Sequence, residues 1–154
     1  MRGDASIPLA RVMAMAFRVM ITALHERLAQ RGFQDIRPAF GFALLHVRDH
    51  QATVQDIAAL MGMSKQAASK LIAVMEAARL LRRAPDPDDG RAYRLTLAAR
   101  GRRLLEVVEE TYEEIEAEWA EVIGADALED VRGRLAEVVR ATSGGALPAV
   151  RPVW

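Results

Sequence analysis

Cysteine is absent from the 154 residues. That excludes disulfides, thiolate metal sites, a cysteine nucleophile and thiol-based redox sensing. Aromatic residues make up only 5%, too few for a stacking platform that would hold single-stranded nucleic acid. No uncharged apolar run reaches the roughly 18 residues of a membrane-spanning helix. The apolar stretch between Met1 and Leu24 is interrupted by Arg11 and Arg18 and is followed by no small-residue cleavage site. It does not read as a secretory signal, so a cytoplasmic protein with no membrane partner is expected. Net charge is missing too, with 21 basic and 21 acidic residues. What is present is a composition 51% hydrophobic and 27% charged, enough to bury the core of one domain, 1–154, with an added assembly element.

The zero net charge hides an uneven distribution. From Thr53 to Arg103 ten bases face five acids, and from Leu104 to Thr142 twelve acids face three bases. A basic segment beside a strongly acidic one predicts a polyanion-binding surface confined to one face.

Apolar periodicity and capping signals give the element order. Ile7 to Gln30 carries Leu9, Met13, Phe17, Met20, Ile21 and Leu24 at helical spacing, closed by Arg31-Gly32. Pro38 suits the first turn of a second helix, reaching about Asp49. Thr53-Val54-Gln55-Asp56 reads as a capping box with Asp in place of Glu, and Gly62 closes that short helix. Ser64 caps the next one, whose inward stripe is Ala68, Leu71, Ile72 and Met75. Two capped helices about a glycine make a helix-turn-helix pattern. Leu80–Ala84 and Ala92–Leu97 read as short strands around the turn-forming run Pro85-Asp86-Pro87-Asp88-Asp89-Gly90, a hairpin with a charged tip.

A long helix over Ala99–Ile123 and a last one capped by Asp126 complete the order, before an aperiodic tail at 143–154 that is expected to be flexible. The fold class is therefore mainly α: a winged helix-turn-helix with a small β-hairpin wing and an N/C-terminal helical dimerisation region. The DNA-binding lobe is expected at 38–98, and the dimerisation helices at 7–30 and 99–142. Their apolar surface exceeds what so small a lobe can cover, which points to burial against a second copy.

Order and residues together resemble the MarR family of bacterial transcription regulators. The matching runs are Asp56-Ile57-Ala58 with Gly62, Ser64-Lys65-Gln66-Ala67-Ala68-Ser69-Lys70-Leu71-Ile72, and Asp86-Pro87-Asp88-Asp89-Gly90-Arg91. The resemblance implies a two-fold dimer with each recognition helix in a major groove and each wing at a minor groove. It further implies a repressor released by a small aromatic or phenolic ligand. Three positions depart from the family's pattern. Arg79 stands where glycine is frequent, and must either take a left-handed conformation or let the helix end differently. Leu97-Ala98-Ala99-Arg100-Gly101 lacks the usual threonine cap, a role Thr96 is expected to fill. Gly90 replaces a common basic residue at the wing.

On this pattern Ser64, Lys65, Gln66, Ser69 and Lys70 face outward near the start of the recognition helix. There Gln66 suits adenine, the lysines suit guanine or phosphate, and Ser69 suits either. Arg91 is the candidate for the minor groove, oriented by an ion pair with Asp89, while Arg82, Arg83 and Arg94 are expected to meet phosphates or remain solvated. Met13, Phe17, Met20, Phe33, Arg37 and Phe40 could approach one another as apolar walls with one arginine for an aromatic acid. Ordinary core and dimer packing is the stronger reading of those six. Glu106 to Glu121 reads as a solvated face rather than paired catalytic carboxylates. His25, His46 and His50 are expected to be partly exposed rather than metal ligands. No phosphate loop or nucleophile–base pair is present, so no catalysis, cofactor or metal is expected. The expected function is a sequence-specific, homodimeric DNA-binding regulator acting on a pseudo-palindromic operator in double-stranded DNA. The alternative is a winged-helix dimer serving as a protein-interaction module, or as a small-molecule or metal sensor with weak DNA affinity.

Overall fold

The start of each central helix is written in local chemistry. The computed structural model describes residues 7–152. Helix α1 (Leu9–Gln30) leads to α2 (Pro38–Asp49), which has Pro38 in its first turn. At α3 (Val54–Met61) the capping box forms as expected: Thr53 Oγ1 accepts from the Asp56 N–H, and Asp56 Oδ2 accepts from the Thr53 N–H at 2.7 Å. Gly62, at φ 63°, then turns the chain in the left-handed region that glycine enters without steric cost. Helix α4 (Lys65–Ala77) follows directly, with Ser64 Oγ accepting from the Ala67 N–H at 3.1 Å.

Helix α4 ends in a Schellman motif, with Leu80 N–H donating to the Met75 carbonyl and Arg79 N–H to that of Glu76. Arg79 takes φ 60°, so of the two alternatives it is the left-handed conformation that the chain adopts. The hairpin then runs through β1 (Leu81–Pro85) and β2 (Tyr93–Leu97), antiparallel with Leu81 opposite Leu97. Helix α5 (Ala99–Ile123) turns at Gly124 into α6 (Ala125–Thr142).

Two expected caps are absent. Thr96 lies in β2 opposite Arg82, while α5 is entered at Ala98 with no side-chain cap. Keeping Leu97 paired with Leu81 holds Thr96 in the strand, two residues short of the capping position. Asp126 lies inside the first turn of α6, whose N-cap is Gly124; there its charge favours the helix dipole without capping it.

One core joins the lobe to the first half of α5. Leu28, Phe40, Leu44, Ile57, Ile72, Met75, Leu80, Leu81, Leu104 and Ile115 are all nearly inaccessible. Helix α5 enters this core at one tight point. The Ala98 N–H donates to the Leu80 carbonyl at 3.0 Å, and a β-carbon on Gly101 would overlap that oxygen. The core stops near Ile115. Beyond it Val122 is 84% exposed, α6 buries no residue, and on α1 Leu9, Val12, Met15, Phe17 and Val19 are exposed. Among the described residues no helix is long and apolar enough to cross a membrane.

The glutamate face of α5 is more than solvated. Arg27 grips both Glu118 oxygens at 2.7 and 2.8 Å. Arg31 pairs with Glu114 and donates at 2.7 Å to Thr111 Oγ1, a buried hydroxyl that itself donates to the Val107 carbonyl. On the other side Arg132 of α6 holds Glu116. The hydrogen bond from Arg31 keeps the Glu114 carboxyl below the usual carboxylate range. The tail from Ser143 is not helical, and Leu147 to Arg151 border a cleft of about 910 Å³ with His46, Asp56 and Leu60. The tail's last residues, Val153 and Trp154, lie outside the described residues, as do residues 1–6.

Two substitutions test the α4–α5 junction. Gly101→Ala should destabilise by about 3 kcal/mol, the upper end of overpacking costs, because backbone must move. Arg79→Gly should stabilise by about 1 kcal/mol through relief of left-handed strain. Urea unfolding midpoints report both, and equal midpoints for wild type and Gly101→Ala would contradict the tight contact.

Candidate nucleic-acid interface

The buried stripe of α4 fixes what its other side presents. Ala68, Ile72 and Met75 are buried and Leu71 is half-buried, so Lys65, Gln66 and Lys70 project into solvent. None of those three has an intramolecular partner among the described residues. Ser64 spends its hydroxyl on the cap, and Ser69 is half-buried at the edge of the same face. The result is a helix start with free polar side chains and the positive end of the helix dipole on one surface.

The wing tip is held by its own aspartates. Asp86 Oδ1 accepts from the Asp88 N–H, Asp89 Oδ1 accepts from the Arg91 N–H, and Asp86 N–H donates to the Ala92 carbonyl. Asp89 therefore orients the backbone of Arg91, a correction to the expected ion pair between their side chains. The short Asx turn takes the carboxylate before the guanidinium can reach it. The Arg91 side chain is exposed and unpartnered among the described residues.

Arg94 behaves differently. Its Nε lies 3.0 Å from Asp86 Oδ2, its Nη2 donates to Asp88 and its Nη1 donates to Gln51 Oε1 at 2.6 Å. This guanidinium ties the wing to the loop before α3, where the Leu95 N–H also donates to the Ala52 carbonyl. The Asp88 N–H, with Arg94 as a further cause, holds the Asp86 carboxyl below its ordinary range. Arg83 is likewise engaged, donating at 3.0 Å to the Ser69 carbonyl and pairing with Glu76. Of the four arginines singled out from sequence, Arg91 and the exposed Arg82 have no side-chain partner among the described residues, whereas Arg83 and Arg94 are engaged. Gln51 and Glu76 carried no signal, because a lone polar residue between periodic stripes looks like any solvated position.

The six candidate ligand residues are not gathered into one cavity. Phe33 and Phe40 belong to the core, and Met13 and Phe17 stand exposed on α1. Arg37 covers the Phe40 ring, with the guanidinium carbon 5.8 Å from its centroid. The 910 Å³ cleft and a second, of about 570 Å³ beside Arg79, Arg82 and Arg100, are lined by other residues. Among the described residues no group of three metal-ligating side chains converges.

Comparison with known proteins places this geometry. Residues 42–92, from α2 to the wing, match the MarR family model. That match covers the helix-turn-helix and the wing, about a third of the chain, and to that extent the sequence is similar to the MarR family. No curated protein sequence matches it. Its fold is similar to that of a transcriptional regulator from Thermotoga maritima (TM-score 0.68, 23% identity, covering 89% of this chain and 95% of that one). It is also similar to apo MarR from E. coli (TM-score 0.68, 20% identity, 86% and 98%). A third likeness is to a variant of MepR from S. aureus bound to an oligodeoxyribonucleotide (TM-score 0.63, 21% identity, 90% and 100%). The likeness of fold thus extends beyond the winged helix over nearly the full length of these proteins.

Acid should loosen the wing. The folded-state pKa of Asp86 is depressed, so its stabilisation is present above the unfolded carboxylate value of about 3.9 and is lost as pH falls through the lower folded value. The stability gap between wild type and Asp86→Asn should be full at pH 6 and close as pH drops below about 4. A gap independent of pH in urea titrations would contradict this assignment.

Proposed function

We propose that this MarR-type protein is a sequence-specific DNA-binding transcription regulator that acts as a homodimeric repressor on a pseudo-palindromic operator. One observation carries the reading: Lys65, Gln66 and Lys70 stand unpartnered at the capped start of α4, beside a wing whose Arg91 is also unpartnered. Together with the exposed Arg82, these side chains bring cations without carboxylate partners close together, available to phosphate and base edges. Gln66 and the lysines then read the major groove, the α4 start meets a phosphate, Ser69 contacts a base or phosphate, and Arg91 enters a narrow minor groove.

The bare apolar faces of α1, α6 and the end of α5 support the dimer. They are too extensive for a single copy to leave in water and are continuous with the core. The effector reading is a small aromatic or phenolic ligand that releases DNA. It would need Met13, Phe17 and Met20 of α1, with Arg37, Phe33 and Phe40, to be brought around one ligand by the second copy, since one copy alone does not gather them.

Selection from a random duplex pool tests the main reading. A near-palindrome bound at least a thousandfold more tightly than scrambled duplex is the expected outcome, in keeping with ratios of about 10³–10⁷ for specific binders. Equal binding that vanishes with salt would contradict it. On the selected duplex Arg91→Ala should cost about 1–3 kcal/mol at fixed salt, and an unchanged affinity would remove Arg91 from the interface.

A further inference from the structure

We propose that Arg83 is a positioning residue: it fixes the wing against the recognition helix through Glu76 and Ser69, and so tunes sequence discrimination without touching DNA. This inference rests on the DNA-binding reading above.

Arg83 lies in β1, opposite Leu95, and its side chain crosses to α4. Its Nη2 donates to the Ser69 carbonyl at 3.0 Å and lies 3.4 Å from Ser69 Oγ. Its Nε lies 3.2 Å from Glu76 Oε2, close enough for charge attraction but outside hydrogen-bond geometry. The other oxygen of that carboxylate accepts from the backbone N–H of Arg83 itself at 3.0 Å. Glu76 therefore holds both the strand and the side chain of one residue, while the guanidinium fork reaches seven residues back along the helix. Positions 69 and 76 lie two turns apart on one face of α4, so the fork straddles that face and fixes its angle to β1.

The geometry has two consequences for reading DNA. The side chain is only 27% exposed and its charge already faces a carboxylate, so it is poorly placed to neutralise a phosphate. It also connects the two elements that would occupy different grooves, and it touches Ser69, which borders the base-facing surface. Rotation of the wing relative to α4 would misplace Arg91 whenever Gln66 is in register. Neither lysine, with one ammonium and no planar fork, nor methionine, with no donor, can reproduce the bridge.

The test uses the full chain, the selected duplex and its scrambled counterpart over a range of salt, together with hydrogen exchange of the β1 amides in the free protein. Glu76→Gln keeps the shape and the acceptor but not the charge, so it tests the brace even if Arg83→Met folds poorly. Each variant should lower the ratio of specific to scrambled binding about tenfold, leave the salt slope unchanged, and speed exchange in β1. The double variant should be no worse than either single one, and Arg83→Lys should not restore the ratio. A phosphate contact would behave oppositely. Glu76→Gln would then be neutral or tighter, Arg83→Lys would bind as wild type, and Arg83→Met would weaken both duplexes alike and reduce the salt slope by about one. That pattern overturns the proposal, as does unaltered β1 exchange in both Glu76→Gln and Arg83→Met. Equal binding of both duplexes by the wild type overturns the regulator reading instead, and faster β1 exchange in the variants would still support the brace.

Discussion

The whole of the proposed DNA-binding surface hangs on the peptide at Leu80. Its N–H closes the Schellman end of α4, its side chain is buried in the core, and its carbonyl accepts the hydrogen bond that starts α5. Gly101 is bare because any β-carbon there would strike that same carbonyl. The adjoining guanidinium of Arg100 donates to the Ala78 carbonyl, the last acceptor of the α4 terminus, while holding Asp35. Helix α4, the wing strand β1 and the long helix α5 thus meet within a few residues. A shift in α5 cannot leave α4 where it was, because packed interiors yield little without breaking contacts.

Around that junction the arginines divide into two sets with different work. Arg27, Arg31, Arg83, Arg94, Arg100 and Arg132 bind carboxylates on neighbouring elements and serve as cross-braces. Most such pairs are partly exposed, so each adds little stability. Their geometric value is greater, since a planar fork fixes the orientation between two elements where a point charge fixes only a distance. The second set, with Arg91, Lys65 and Lys70, faces solvent without partners. Zero net charge and a cationic surface are compatible because the acidic residues of α5 are consumed by braces or turned to other faces.

Most of the architecture was legible in the sequence. Thr53, Asp56, Gly62, Ser64 and Pro38 are short-range signals whose chemistry acts within four residues, and each does what its spacing implies. Arg79 was readable only as a choice between a left-handed residue and a different helix end, because the Schellman bonds that decide it form only once Leu80 is buried in the core. Thr96 and Asp126 were not, because a capping residue is chosen by where the strand or turn before it ends, and that is decided by pairing across the hairpin and by Gly124. At the candidate interface, periodicity separated the free face of α4 from its buried face. It could not tell free arginines from braced ones. Arg83, Arg91 and Arg94 look alike in a basic, turn-rich stretch, and their partners Glu76, Gln51 and Asp86 are named only once the hairpin has folded onto α4 and α3.

The uncovered apolar faces at both ends of the chain give the account its symmetry, and symmetry is its most exposed claim. Two copies joined through those helices would place two α4 starts and two wings on one side of the assembly. The direct measurement is a hydroxyl-radical footprint of the complex on its selected duplex. The account predicts two protected half-sites related by a dyad and centred about one helical turn, roughly 34 Å, apart, with flanking protection where the wings reach. A single unpaired footprint, or protection spread evenly along the duplex, would contradict it.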